Sequence, residues 1–390
     1  MSNKTFQTLK VKKWNGKLLQ CVINKHELLI CGGYEQRACY SYHTIKNEYK
    51  FICYYPNHVQ LKGHCVVKLV DNNNKDRNQI TLLSFGGAIR HTLLMKYVSV
   101  WSNKSNISNK LNKSNDYNEW IPFTDNHNHP IIIGRERDNY WGARAVIGGR
   151  NSHLLFITYT YNYISVFDLN TFQYIKHDTL PTDSPIWCHC FVSNSENVQG
   201  QEMMKTNKQN YQILLFKCNI GLSIEYDEDN NTFQFHQLPV CDDIAQFYYY
   251  AYVCINDIIF FFGGWNGMYG TDANVSKSVH KYSIRENKWT TFQNMLPSPL
   301  YDCIAILSEE DNHIHIIGGQ NYKHESVPTY MKIKVRELDP SLLSKNEVKF
   351  IVQYWIRTLK IKLGWIADFD KIIMKYVYKI NFEETQLNTC

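Results

Sequence analysis

Six apolar runs recur along the 390 residues and mark one repeated unit. Four end in a glycine pair: ELLICGG at Gly32 and Gly33, TLLSFGG at Gly86 and Gly87, IIFFFGG at Gly263 and Gly264, and HIHIIGG at Gly318 and Gly319. Two keep the run and lose the glycines, HLLFITY with Thr158 and Tyr159 in their place and QILLFKC with Lys217 and Cys218. Successive sites are 54, 72, 59, 46 and 55 residues apart. A unit of that size cannot bury both of its faces alone, so the chain must pack copies of it against one another. The glycines end a strand where crowding or a positive φ penalises a Cβ. A further pair, Gly148 and Gly149, precedes its strand and is assigned to the turn before HLLFIT.

A second signal is independent of the glycines. An aromatic residue is followed seven positions later by another across a polar turn: Tyr42 and Tyr49, Tyr226 and Phe233, Tyr282 and Trp289. Phe167 and Tyr174 fit the spacing, with Phe172 a competing equivalent. Such a stretch reads as a strand end, a tight Asn- or Asp-bearing turn and a strand start, which sets two rings on adjacent antiparallel strands. The aromatic content of 14% favours the same all-β reading.

Strand, Gly-Gly, then Tyr, six residues and Trp resembles the Kelch repeat, a unit of about 50 residues. The resemblance spans about residues 1–339 and implies a six-bladed β-propeller. Repeats three and four depart from it by lacking the diglycine, and repeat two carries a long insert before Trp120. Repeat six has the strands CIAILSEE, HIHIIGGQ and TYMKIKVREL but no aromatic fourth strand, whereas the N-terminus supplies TFQTLKV. Residues 4–11 are therefore expected to complete the last blade.

In a propeller the first-to-second and third-to-fourth loops share one face. The polar insertions 71–79, 102–118 and 194–210 all fall there. The opposite face, built from the loops after each diglycine and between blades, is richer in recognition residues. Candidate binding residues on it are Arg37, Arg90, Tyr161, Trp265, Tyr269, Tyr322 and His324, with Tyr34, His91, Tyr140, Trp141, Asp242, Asp243 and Tyr301 nearby.

Kelch propellers also resemble the central domain of galactose oxidase, which implies an alternative, a copper-radical oxidase. That site needs a Cys near a Tyr, a second Tyr and two His, and no matching motif is found. Cys188, His189 and Cys190 alternate along an expected strand with the two sulfurs on one face, and His127 and His129 stand isolated. No catalytic residues, metal or cofactor are expected, and no GxSxG or HExxH motif occurs. The twelve cysteines form no CxxC pair and read as reduced core residues.

The net charge of +6 is concentrated: between Lys345 and Lys379, eight Lys and Arg face three acids. The bulk of the chain has no polyanion footprint, so nucleic acid is not an expected partner. No apolar run spans a membrane, and the N-terminus lacks a secretory pattern, so a cytoplasmic location is expected. Ser344 with Glu347 forms a capping box, and apolar residues on one face on either side of Gly364 predict a helical hairpin over 344–382. Those helices offer a surface for docking or self-association. The expected function is a non-enzymatic protein-protein interaction module or scaffold that binds another protein through loops on one propeller face. A self-assembling repeat protein is the other alternative.

Overall fold

Each recurrent apolar run forms the second strand of a four-stranded antiparallel sheet. The computed structural model describes residues 6–8, 17–70, 79–102, 117–193, 210–270, 274–293, 295–339, 342, 355 and 358. Blade one comprises β2 (Cys21–Asn24), β3 (Glu27–Gly33), β4 (Gln36–His43) and β5 (Glu48–Tyr54). Blade two is β6 (His64–Leu69), β7 (Gln79–Gly86), β8 (Thr92–Val98) and β9 (Ile121–Pro122). Blade three is β10 (Arg144–Gly148), β11 (Leu154–Tyr159), β12 (Tyr163–Asp168) and β13 (Gln173–Thr179). Blade four is β14 (Cys190–Ser193), β15 (Asn210–Lys217), β16 (Ile220–Asp227) and β17 (Thr232–Gln237). Blade five is β18 (Ala251–Ile255), β19 (Ile258–Phe262), β20 (Val279–Ser283) and β21 (Lys288–Thr291). Blade six takes β22 (Tyr301–Ser308), β23 (His313–Gln320) and β24 (Tyr330–Lys334). On the outer side of β24 lies β1 (Gln7–Thr8), with Gln7 opposite Lys332 and Thr8 opposite Met331.

The first strands touch in cyclic order: β2 meets β6, then β10, β14, β18 and β22 follow, and β22 returns to β2. Six sheets therefore stand around one axis as a six-bladed propeller. The second strands are buried on both sides, which is why they read as continuous apolar runs rather than alternating ones. The core fills the wedges between blades. Phe216 of blade four, for example, meets Phe261, Tyr282 and Trp289 of blade five edge-on, with ring centroids 5.8, 4.8 and 5.3 Å away.

The aromatic spacing is a register. Tyr42 pairs directly with Tyr49, Tyr226 with Phe233 and Tyr282 with Trp289. In blade three the partner of Phe167 is Tyr174, which resolves the competing reading. Phe172 instead holds the position that Asn occupies elsewhere. In the three Tyr blades the phenol donates to an Asn five residues on, Asn47, Asn231 and Asn287, at 2.9, 2.7 and 2.5 Å. Each of those Asn residues is left-handed, with φ between 53 and 55°. Phe167 has no hydroxyl to give, and Phe172, at φ 58°, packs on Phe123 instead.

The diglycine is needed where the strand kinks. Gly263 has φ 67°, and a Cβ there would lie 2.0 Å from the Leu300 carbonyl oxygen. Blades three and four avoid the kink because pairing continues into a tight hairpin, Thr158 opposite Ile164 and Lys217 opposite Ile220. Three local expectations need correction. Gly148 ends β10 instead of lying in the turn, and a Cβ on it would strike the Tyr211 ring. The third strand of blade six stops at Lys334, after which Val335–Leu338 turns into a short helix. Cys188 is left-handed at φ 47° and precedes β14, so it does not alternate in a strand with Cys190.

The chain divides into two compact units, Met1–Lys334 and Val335–Cys390. Of the helical segment read at 344–382, only Trp355 and Thr358 are described, and both are helical. The three polar insertions lie, apart from their flanks, outside the described residues.

Candidate binding face and channel mouth

First strands begin, and second strands end, on the face that carries the diglycine loops. The structure brings Trp265, Tyr269 and His324 together there. Trp265 lies 5.0 Å from the Tyr269 ring and 5.3 Å from His324, and Tyr269 lies 5.1 Å from His324. Tyr301 completes the group, with its hydroxyl 2.7 Å from His324 Nδ1 and its ring 5.4 Å from Trp265. Trp265 is held by donating from its indole nitrogen to Met268 O at 2.9 Å, while Tyr269 stands 74% exposed. Tyr322, in the same loop as His324, is also exposed, with the Lys323 ammonium 5.7 Å from its ring.

The remaining candidates are placed apart from that group. Arg37 donates from Nη1 to Tyr55 O at 3.1 Å and Asn57 Oδ1 at 2.5 Å, so it ties its hairpin to the loop leaving blade one. Arg90 does the same for the loop after blade two, through Gly134 O at 3.1 Å and Arg135 O at 2.5 Å. Tyr161, exposed and left-handed at φ 70°, borders a cleft of about 750 Å³ with Arg135, Asp138, Tyr163 and His177. Arg135 is bound there to Asp138 at 3.1 Å and to the Tyr159 hydroxyl at 3.1 Å.

The channel mouth contains groups that sequence reasoning did not single out. A left-handed residue precedes or opens every first strand: Leu18, Gly63, Gly142, Cys188, Tyr249 and Asp302. These residues link the blades through their backbones. Gly142 N–H donates to Gly63 O at 2.9 Å, Cys188 N–H to Gly142 O at 2.8 Å and Asp302 N–H to Tyr249 O at 2.8 Å. Leu18 N–H donates instead to the Asp302 carboxylate, 3.2 Å from Oδ2, which also receives Gln320 Nε2 at 3.2 Å. Burial pushes the Asp302 carboxyl up to about 7, against the pull of those two donors and of Arg144 and Lys17. Arg144, the first residue of β10, donates from Nη1 to Ala143 O at 3.1 Å. It remains charged despite its enclosure.

Where blade four has lost its diglycine, Lys217 is buried with its ammonium 3.8 Å from the Trp187 ring centroid and 5.2 Å from that of Tyr248. It also donates to Pro185 O. Burial lowers its pKa, and the two rings and the carbonyl supply what water would have given. In blade three the substitute Thr158 lies 2.7 Å from His189 Nε2, and burial holds that imidazole well below its ordinary range. All eleven described cysteines are free, and burial raises the thiols of Cys65 to about 11 and of Cys188 and Cys303 to about 12. Thiols so held are neutral and poor nucleophiles. Among the described residues no three His, Cys, Asp or Glu side chains are grouped so as to hold a metal ion. No helix among them is long and apolar enough to cross a membrane.

Six sheets around one axis define a six-bladed β-propeller, and its strand-ending glycines and cross-strand aromatic register are similar to those of the Kelch motif. The Kelch motif model matches residues 246–296, which cover β18 to β21 of blade five. The solved structure of YjhT is similar in fold, with a TM-score of 0.52 and 13% identity over 82% of this chain and 95% of that one. No curated protein matches the sequence.

Proposed function

We propose that this propeller is a non-enzymatic docking module that binds another protein through the face carrying the diglycine loops. The observation behind the reading is the distribution of exposed apolar side chains. The propeller unit has twelve large ones among its described residues, and nine lie on or at the edge of this face: Tyr54, Ile89, Ile132, Tyr161, Tyr163, Met268, Tyr269, Met295 and Tyr322. Of the same twelve, Ile45 and Val70 lie on the opposite face, and Phe51 is on an outer strand. Exposed rings and aliphatic groups carried by a rigid rim lose little conformational freedom when covered, which is what concentrates binding energy at an interface. Kelch propellers commonly serve protein interaction, and a scaffold role follows from that analogy of fold.

Affinity capture with the wild-type chain, the Tyr269→Ala/Tyr322→Ala variant and an Ile45→Ser control tests the proposal. Loss of one reproducible partner from the double variant alone is expected. Retention by that variant together with loss from the control would move recognition to the opposite face.

A further inference from the structure

At the edge of the docking face, blade three and the chain that enters it from blade two enclose the cleft of about 750 Å³ that Tyr161 borders. That volume lies inside the range of about 300–1,000 Å³ typical of ligand pockets. One wall is the loop carrying Arg135 and Asp138, and the other is the end of β12 and β13, where Tyr163 faces Thr179 beside His177.

A chain of hydrogen bonds leads from the first wall to the second. Asp138 grips Arg135 through Nε and Nη2, each at 3.1 Å, and Nη2 also donates to the Tyr159 hydroxyl at 3.1 Å. Tyr159 Oη lies 3.0 Å from Ser165 Oγ, which lies 2.7 Å from His177 Nδ1. A guanidinium can only donate, and this fixes the direction of the whole chain. Tyr159 accepts from Arg135 and is fully buried, so its own proton goes to Ser165, and the serine proton goes to Nδ1. The reverse order would leave the phenol proton buried without an acceptor. Burial and the Arg135 charge lower the pKa of His177, so the ring is neutral at neutral pH. With Nδ1 accepting, its single proton is on Nε2. That nitrogen is not enclosed and has no acceptor among the described residues, so its N–H is offered to the cleft.

The charges on the walls balance. Arg135 and Arg137 stand against Glu136, Asp138 and Asp178, and Asp178 is paired with Lys176 at 3.7 Å. An ionic ligand gains little there. Tyr161 and Tyr163 are 62% and 38% exposed, and Tyr163 rests on the Tyr159 ring at 5.6 Å, so apolar ring surface flanks the donor.

We propose that this cleft binds an uncharged, proline-rich segment of the partner protein in the polyproline II conformation, with proline rings on Tyr161 and Tyr163 and a backbone carbonyl accepting from His177 Nε2. The carbonyls of such a segment have no internal partner, and its prolines bring no N–H for the cleft to satisfy. Its conformation is set before it docks, so little freedom is lost. The proposal names the segment by which the partner is held and so rests on the docking reading, yet the peptide is measured without the partner.

Ligand-observed NMR on the full chain tests it with acetylated, amidated decaproline against a glycine-serine peptide of equal length, polyglutamate, polylysine and maltohexaose. Decaproline is expected to bind saturably, and each of the other four at least about tenfold more weakly. Tyr161→Asn, which suits the left-handed backbone, and His177→Phe should each weaken decaproline about tenfold, whereas Tyr322→Ala should leave it unchanged. Failure of decaproline to bind wild type overturns the proposal, as does equal or tighter binding of any other probe, or undiminished binding to a folded Tyr161→Asn variant. Nitrogen-15 spectra check the donor separately: His177 should be the Nε2–H tautomer, and the Nδ1–H tautomer overturns the proposal. The wild-type comparison and the tautomer decide the matter even if a variant does not fold. Loss of the captured partner from the Tyr269→Ala/Tyr322→Ala variant without decaproline binding to wild type would sink this proposal and leave the docking reading standing.

Discussion

Asp302 lies at the seam between blades six and one, tied to Leu18 on one side and Gln320 on the other. Its carboxyl is raised to about 7 by burial, against an ordinary value of 3.8. Below the ordinary value both folded and unfolded chains hold the proton, and stability is indifferent to pH on this account. Between the two values the folded chain keeps a proton that the unfolded chain has released, so stability falls as pH rises, and above 7 the full penalty stays. The groups facing this carboxyl are Arg144, Lys17, Tyr249, Cys188, Tyr301 and Cys303. None of them has an ordinary pKa between 4 and 7, but the buried imidazoles of His64, His91 and His189, held below their ordinary range, contribute stability that rises over the same window, so the effect of Asp302 is read as the difference from a variant. The Tm of Asp302→Asn minus that of wild type should grow from pH 4 to 7 and leave the variant more stable than wild type at pH 8. Parallel Tm–pH curves for the two proteins would show that the carboxyl is not buried as described. At this scale the sequence exposes only part of the site. The aromatic group around Trp265 is legible because rings cluster in the loops after the diglycines. Asp302 is not, because its bond to Leu18 joins residues 284 positions apart that meet only when the ring closes.

The third-to-fourth hairpin shows what an element takes from its sequence. Tyr282 faces Trp289 across the strand pair and donates its hydroxyl to Asn287, whose left-handed backbone makes the turn. The ring thus serves the wedge between blades while the oxygen fastens the turn. Trp289 adds a hydrogen bond of its own to Pro239 O at 2.7 Å, which ties blade five to the loop leaving blade four. Tyr282→Phe keeps the ring and should cost about 1 kcal/mol, the net worth of one hydrogen bond, read from the urea midpoint at unchanged m. A loss several times larger would mean that the phenol also orders the blade interface. The period-seven aromatic pattern is visible in the sequence because two rings must pair across strands. The staple is hidden in the same window, since an Asn in a turn is ordinary until its φ is known. β9 is the least legible strand: Ile121–Pro122 is two residues long, and the blade's aromatic contribution comes from Trp120, stacked 4.6 Å from Tyr55 of the preceding blade.

The whole ring is closed at its hub by β22 against β2 and by the Asp302 bond to Leu18. At the rim, blade six has only three strands from its own stretch of chain, and β1 pairs with the outer edge of β24. Phe6, which leads into β1, is 6% exposed, so this stretch contributes apolar burial as well as strand pairing. Without it the outer edge of β24 would offer unpaired amide and carbonyl groups to solvent and to other chains, the condition that promotes edge-to-edge association. The hub contacts do not involve these residues, so removal should weaken the ring without dissolving it. Deleting residues 1–11 is therefore expected to cost several kcal/mol, lower Tm and produce association that grows with protein concentration in light scattering. Restoring the segment as a separate peptide should recover part of the lost Tm, because the edge it leaves is a template for one particular strand. An unchanged Tm in the truncated chain would mean that the hub alone carries closure and that the N-terminal strand is dispensable.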